Sequence, residues 1–65
     1  MEKVFYASKL VHGNEYVICD YSTGWEWEHV DLRDDFGFKT TDEDEAQAVA
    51  NEYGGSVEYY ERVAR

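Results

Sequence analysis

A single cysteine, Cys19, in a chain of 65 residues rules out an intrachain disulfide. One cysteine and two histidines, His12 and His29, are also too few for a structural zinc site. Domains this small bury only roughly 60 % of the surface exposed by the unfolded chain, and commonly rely on such staples. Without them the core has to come from large side chains. The chain supplies six Tyr, three Phe and two Trp, each able to bury roughly 150–250 Å². The length allows one domain, spanning residues 1–65. With no proline, linker or internal repeat, order is expected nearly end to end.

The local patterns predict an α+β fold. Lys3–Val11 and Tyr16–Tyr21 are rich in β-branched and aromatic residues, and Gly13-Asn14 between them suits a two-residue hairpin turn. That turn pairs Ser8 with Cys19 and Tyr6 with Tyr21. It places Val4, Tyr6, Ser8, Leu10, Val17, Cys19 and Tyr21 on one face, and Phe5, Ala7, Lys9, Val11, Tyr16, Ile18 and Asp20 on the other. The second face carries the charges, so the first is expected to point to the core. Trp25–Val30 alternates as a third strand, Phe36–Lys39 reads as a short strand, and Ser56–Val63 reads as the last. Between the last two lies the clearest element, a helix over residues 42–53. Thr40 with Glu43 has capping-box spacing, Ala46, Val49, Ala50 and Tyr53 share one face, and Gly54-Gly55 ends it. The expected architecture is a small antiparallel sheet of three to five strands with one α-helix packed on one face, in the order β-β-β-(β)-α-β. Tyr53 and Trp27 are expected in the core. The uncovered face, with Phe5, Tyr16 and Ile18, is expected to meet a second copy in a homodimer or a foreign partner.

Charge narrows the function classes. Fifteen acidic residues against six basic ones give −9. Such a surface repels nucleic acid and anionic lipid and attracts basic proteins. Glu15, Asp20, Glu26, Glu28 and Asp31 fall in a stretch without Lys or Arg. Asp42, Glu43, Asp44, Glu45, Glu52, Glu58 and Glu61 fall in another. Charges serving solubility alone would mix signs, whereas long one-sign stretches build a field. On a strand, Glu26 and Glu28 project to one side about 6.6 Å apart, and rigidly spaced carboxylates can imitate phosphates. The expected partner-binding set is Glu26, Glu28, Asp31, Asp34, Asp35, Asp42, Glu43, Asp44 and Glu45, with Tyr16 and Tyr60 as aromatic anchors.

Catalytic and metal motifs are lacking. Asp34-Asp35-Phe36-Gly37 has the letters of the kinase metal-binding turn, but the chain has no glycine-rich phosphate loop and no room for a kinase. Asp42-Glu43-Asp44-Glu45 lacks the alternation and the glycine of a calcium loop and instead opens a helix. Cys19 falls mid-strand on the inward face, which suits a small hydrophobe rather than a nucleophile. His29 beside Glu26 and Glu28 has no oxyanion site or metal to work with. No metal, no cofactor and no enzymatic activity are expected. No stretch approaches the ~20 apolar residues of a membrane span. The start, Met1-Glu2-Lys3-Val4-Phe5-Tyr6, lacks the basic and apolar regions of a signal peptide. With one cysteine, a cytoplasmic setting is expected.

The unit from Phe38-Lys39-Thr40-Thr41-Asp42 through Gly54-Gly55-Ser56-Val57, in so small and acidic a β-rich chain, resembles small proteins of bacteriophages and mobile elements. That class includes inhibitors of host nucleic-acid enzymes, such as anti-CRISPR proteins and uracil-DNA glycosylase inhibitors. The resemblance implies a non-enzymatic inhibitor that captures a basic, nucleic-acid-binding host protein, for example a CRISPR effector nuclease. The alternative is a protein-interaction adaptor or a homodimeric structural protein unrelated to nucleic acid.

Overall fold

Alternation of apolar and polar residues builds four antiparallel strands, β1 (Glu2–Val11), β2 (Asn14–Tyr21), β3 (Gly24–His29) and β4 (Ser56–Arg62), ordered β3-β2-β1-β4. The computed structural model describes residues 1–64. Between β3 and β4 come a 3₁₀ turn (Val30–Leu32), a short helix α1 (Arg33–Phe36) and the helix α2 (Glu43–Tyr53). The fold is α+β as expected, with one more helix. Asp34 and Asp35 lie in α1. The expected strand over 36–39 is reduced to isolated bridges at Gly37 and Thr40.

The first hairpin turns one residue earlier than the sequence predicts, which shifts the pairing register by two. Val11 pairs with Asn14 and Ser8 with Val17, leaving His12 and Gly13 as the loop. Both loop residues have positive φ, 52° and 83°, as a type I′ turn demands. Glycine fills the second position without strain, and histidine is among the residues that tolerate the first. A slip of two residues leaves every side chain on its original face, so the two face sets stand.

What changes is the cover over those faces. Helix α2 packs on the charged set: Ala7, Ile18 and Ala50 are fully buried, with Trp25, Trp27, Phe38, Val49, Tyr53 and Val57 around them. The face expected to be open is therefore closed, and Phe5 and Ile18 are not available to a dimer. Lys9 and Asp20 are tolerated because they sit at the rim. Lys9 lays its ammonium over the Trp27 ring at 4.5 Å, while Asp20 stays exposed. The opposite face holds Tyr6, Val17 and Cys19, with Tyr21, Val30 and Tyr60 packed against them. It is covered by the 3₁₀ turn and α1.

The chain reaches both faces by passing through the sheet. The β1–β2 ladder stops at Ser8–Val17. Beyond it the two strands part, and residues 37–40 fill the gap. Phe5 N–H donates to Thr40 O at 2.7 Å and Thr40 N–H donates to Phe5 O at 3.0 Å. On the other side Phe38 N–H donates to Ile18 O at 2.9 Å. Phe36 lies against Tyr21 on one face, with centroids 5.8 Å apart, and Phe38 lies against Trp25 on the other, at 5.6 Å.

Helix α2 is capped by Asp42 rather than by Thr40. The Asp42 carboxylate accepts from the N–H groups of Asp44 (3.0 Å) and Glu45 (3.4 Å), a cap typically contributing about 1 kcal/mol. Thr40 is committed to the sheet bridge, and its hydroxyl accepts the Asp42 N–H. Gly54, left-handed, ends the helix. Gly55 then passes so close to β1 that a Cβ there would lie 2.7 Å from Ser8 O and 2.6 Å from the Trp27 ring.

Trp25 joins three elements, stacking on Tyr53 at 5.2 Å while touching Phe38. Trp25→Ala is expected to cost about 3 kcal/mol in denaturant unfolding. Leu10→Ala, on a side chain 75 % exposed, should stay within about 0.5 kcal/mol. Equal losses in the two variants would contradict this core.

Candidate recognition surface

The basic side chains are engaged within the fold. Arg65 lies outside the described residues; the other five each have a partner. Lys3 sits 4.7 Å over the Tyr59 ring and Lys9 over Trp27. Arg33 stacks between Tyr60 (4.4 Å) and Tyr6 (5.2 Å). Its Nη1 donates to the Tyr6 hydroxyl at 3.5 Å, and its Nε to Asp34 Oδ1 at 3.2 Å. Lys39 donates to the carbonyls of Arg33 (2.8 Å) and Asp34 (3.1 Å), tying down the start of α1. Arg62 donates to Glu2 at 2.6 Å. Among the described residues, only Glu2 and Asp34 lie within ion-pair distance of Lys or Arg.

The acids expected to bind a partner separate into two groups. Glu26 and Glu28 oppose Cys19 and Val17 in the register, so they lie on the face that carries the 3₁₀ turn and α1. Glu26 is exposed, while Glu28 is half-buried and accepts the Tyr21 hydroxyl at 3.0 Å. Asp31, Asp34 and Asp35 lie on the covering segment, open to solvent at their carboxylates or partly so. His29 Nδ1 accepts the Asp31 N–H at 3.2 Å and caps the turn. Asp42, Glu43, Asp44 and Glu45 begin α2 instead, which packs on the other face. Asp42 has its carboxylate occupied by the cap, and the remaining three are exposed. The nine carboxylates therefore do not form one patch.

Neither expected anchor is free. Tyr60 is half-buried beneath Arg33, where its ring serves the cation–π stack. Tyr16 is half-buried on the α2 side, edge-on to His29 at 6.0 Å. An exposed aromatic beside the acids of this face is Phe36, 52 % exposed and directly after Asp34 and Asp35. Sequence reasoning missed it by reading Phe36 as a strand residue. The available signal was an aromatic immediately following two acids, with a glycine after it.

Cys19 is fully buried. Burial pushes its thiol pKa up, and the Glu28 charge adds to the rise. Such a thiol stays protonated and inert. A cleft of about 390 Å³ near the first turn sets Ser8 beside Glu15 and Glu58 without a histidine. Among the described residues, no three of His, Cys, Asp and Glu are grouped to hold a metal, and no helix is long and apolar enough to cross a membrane. No protein-family model matches the chain, and neither the curated proteins nor the solved structures yield a match.

Tyr21 reports on this surface. Burial raises its hydroxyl pKa from 10.0 to about 12, and the hydrogen bond to Glu28 with the nearby carboxylate charge reinforces the shift. Because the folded value is raised, the stabilisation is complete below pH 10 and is lost as pH climbs towards 12. In a phenolate absorbance titration one tyrosine should ionise near 12, and Glu28→Gln should bring it down. An unmoved titration in Glu28→Gln would remove the Tyr21–Glu28 bond from solution.

Proposed function

We propose that the protein is a non-enzymatic acidic inhibitor that occupies the nucleic-acid-binding surface of a basic protein, in the manner of a phage-encoded blocker of a CRISPR effector nuclease. One observation carries the reading. Every described Lys and Arg contacts a ring, a carbonyl or one of two carboxylates, while all but two carboxylates have no Lys or Arg partner among the described residues. Most of the fifteen carboxylates behind the net charge of −9 therefore stand outside any ion pair with Lys or Arg among the described residues.

A protein that grips nucleic acid offers Lys and Arg spaced to meet phosphates. Carboxylates held on a sheet edge and a short helix meet the same groups with little ordering cost, and their field speeds encounter. The recognition group is Glu26, Asp31, Asp34 and Asp35, which lie on the side of the sheet that carries α1, together with Phe36. The ring offers a contact that ions cannot screen. The helix-start group, Glu43 to Glu45, adds long-range field from the other face. An effector nuclease that holds its heteroduplex in a positive channel is a target of suitable chemistry. An adaptor with no relation to nucleic acid would use the same surface but would not compete with duplex.

Tagged protein should recover a basic nucleic-acid-binding protein from lysate at low salt and release it when salt or duplex DNA is added. Reversal of three charges, Glu26→Lys with Asp34→Lys and Asp35→Lys, should abolish recovery. The same reversal at Glu43, Asp44 and Glu45 should only weaken it. Recovery indifferent to both salt and duplex would defeat the mimicry reading.

A further inference from the structure

Strand β4 is one edge of the sheet, and its free hydrogen-bonding groups can be assigned. Phe5 gives both its N–H and its C=O to Thr40, on the side of β1 away from β4. The Phe5–Tyr59 pair is therefore non-hydrogen-bonded. By the alternation of antiparallel ladders, the N–H and C=O groups of Val57, Tyr59 and Glu61 point out of the sheet. Apolar surface accompanies them: Tyr59 is 52 % and Val63 78 % exposed. An open edge with exposed apolar side chains is a template for another strand.

We propose that this edge pairs with β4 of a second copy, antiparallel about a two-fold axis at Tyr60, to give one sheet with four strands from each copy. A two-fold axis perpendicular to the sheet keeps each face continuous, so only residues of like face can stand opposite one another. Centred on Tyr60, the pairing sets Glu58 against Arg62 of the second copy, Val57 against Val63 and Tyr59 against Glu61, each twice. Opposite charges and apolar residues therefore meet directly, the arrangement that stabilises cross-strand pairs. Glu58 and Arg62 would stand near the axis as side chains of non-hydrogen-bonded pairs, where strands bring them closest. Arg62 binds Glu2 through Nε, which leaves its two terminal nitrogens for a second carboxylate. The neighbouring register, centred on Tyr59, sets Glu61 against Val57 and Glu58 against Tyr60, and so gains no directly opposed ion pair.

The other edge cannot do the same. For β3, the registers that overlap most are centred on Glu26 or on Trp27. The first sets Glu26 against Glu26. The second sets Glu26 against Glu28 twice. Like charges directly opposite destabilise pairing, and charged edges of this kind keep sheets from joining. One edge that accepts its own copy and one that refuses it make a closed dimer rather than a filament.

The test is a charge exchange read by sedimentation from submicromolar to submillimolar protein. Wild type should pass from monomer to dimer. Glu58→Arg alone and Arg62→Glu alone each place like charges opposite one another twice, and should weaken self-association by about a hundredfold or more. Mixing the two variants should restore association as a heterodimer. The arginine introduced at position 58 of one variant then meets the glutamate introduced at position 62 of the other, and the unaltered Arg62 of the first meets the unaltered Glu58 of the second. A wild type that stays monomeric throughout, a Glu58→Arg dimer of undiminished strength, or a mixture no tighter than either variant alone would each overturn the proposal. Should Arg62→Glu fail to fold, Glu58→Arg decides alone, since Glu58 is exposed and the Arg62–Glu2 bond does not involve it.

Discussion

Everything in this fold depends on the gap between β1 and β2 being filled by residues 37–40. Two strands that part after Ser8–Val17 would leave unpaired backbone groups in the middle of a sheet, and buried groups of that kind are costly. The Phe5–Thr40 and Phe38–Ile18 hydrogen bonds remove that cost. They also carry the chain from one face to the other, with Phe36 and Phe38 locking it on either side. A chain of 65 residues thus covers both faces of its sheet with only one full helix. Each core is small, and the centre of each is built from residues such as Ala7 and Ala50, or Val17 and Cys19, with aromatic rings as a rim.

The same economy shapes the electrostatics. With no disulfide available, the covering segment on the α1 side is held by Arg33 between two tyrosine rings and by Lys39 on the α1 carbonyls. Arg suits this position because its flat guanidinium stacks on rings and still donates hydrogen bonds. Arg33 and Lys39 act as fasteners of the covering segment, and most carboxylates stand outside ion pairs among the described residues. Phe36 on α1 and the β4 edge lie in separate places.

Much of the secondary structure was legible because its causes are local. The spacing of Ala46, Val49, Ala50 and Tyr53, with Gly54 after it, specifies a helix whatever surrounds it. The strand faces were legible for the same reason, since a period of two assigns every residue of a strand to one side. The cap of α2 was misread because Thr40 and Asp42 both fit the local rule. The choice went to Asp42 because Phe5, far away in sequence, holds the Thr40 backbone. The candidate site was only half legible. The acids of β3 and α1 share one face as their sequence proximity suggests, but Tyr60 was claimed by Arg33 through a contact that no local pattern records.

The sequence by itself determined four of the five expected strands, the principal helix, the two-faced alternation of β1 and β2, and the excess of carboxylates. Each follows from spacing, side-chain type or simple counting. Only the tertiary structure decided which face α2 covers, because Lys9 and Asp20 can lie at the rim of a covered face as readily as on an open one. It alone separated the acids of β3 and α1 from those of α2, since the chain passes through the sheet between them. It alone left β4 as an edge, because strand order depends on pairing between residues as distant as Glu2 and Arg62. Such long-range pairing is settled by the whole core at once, and no window of sequence contains it.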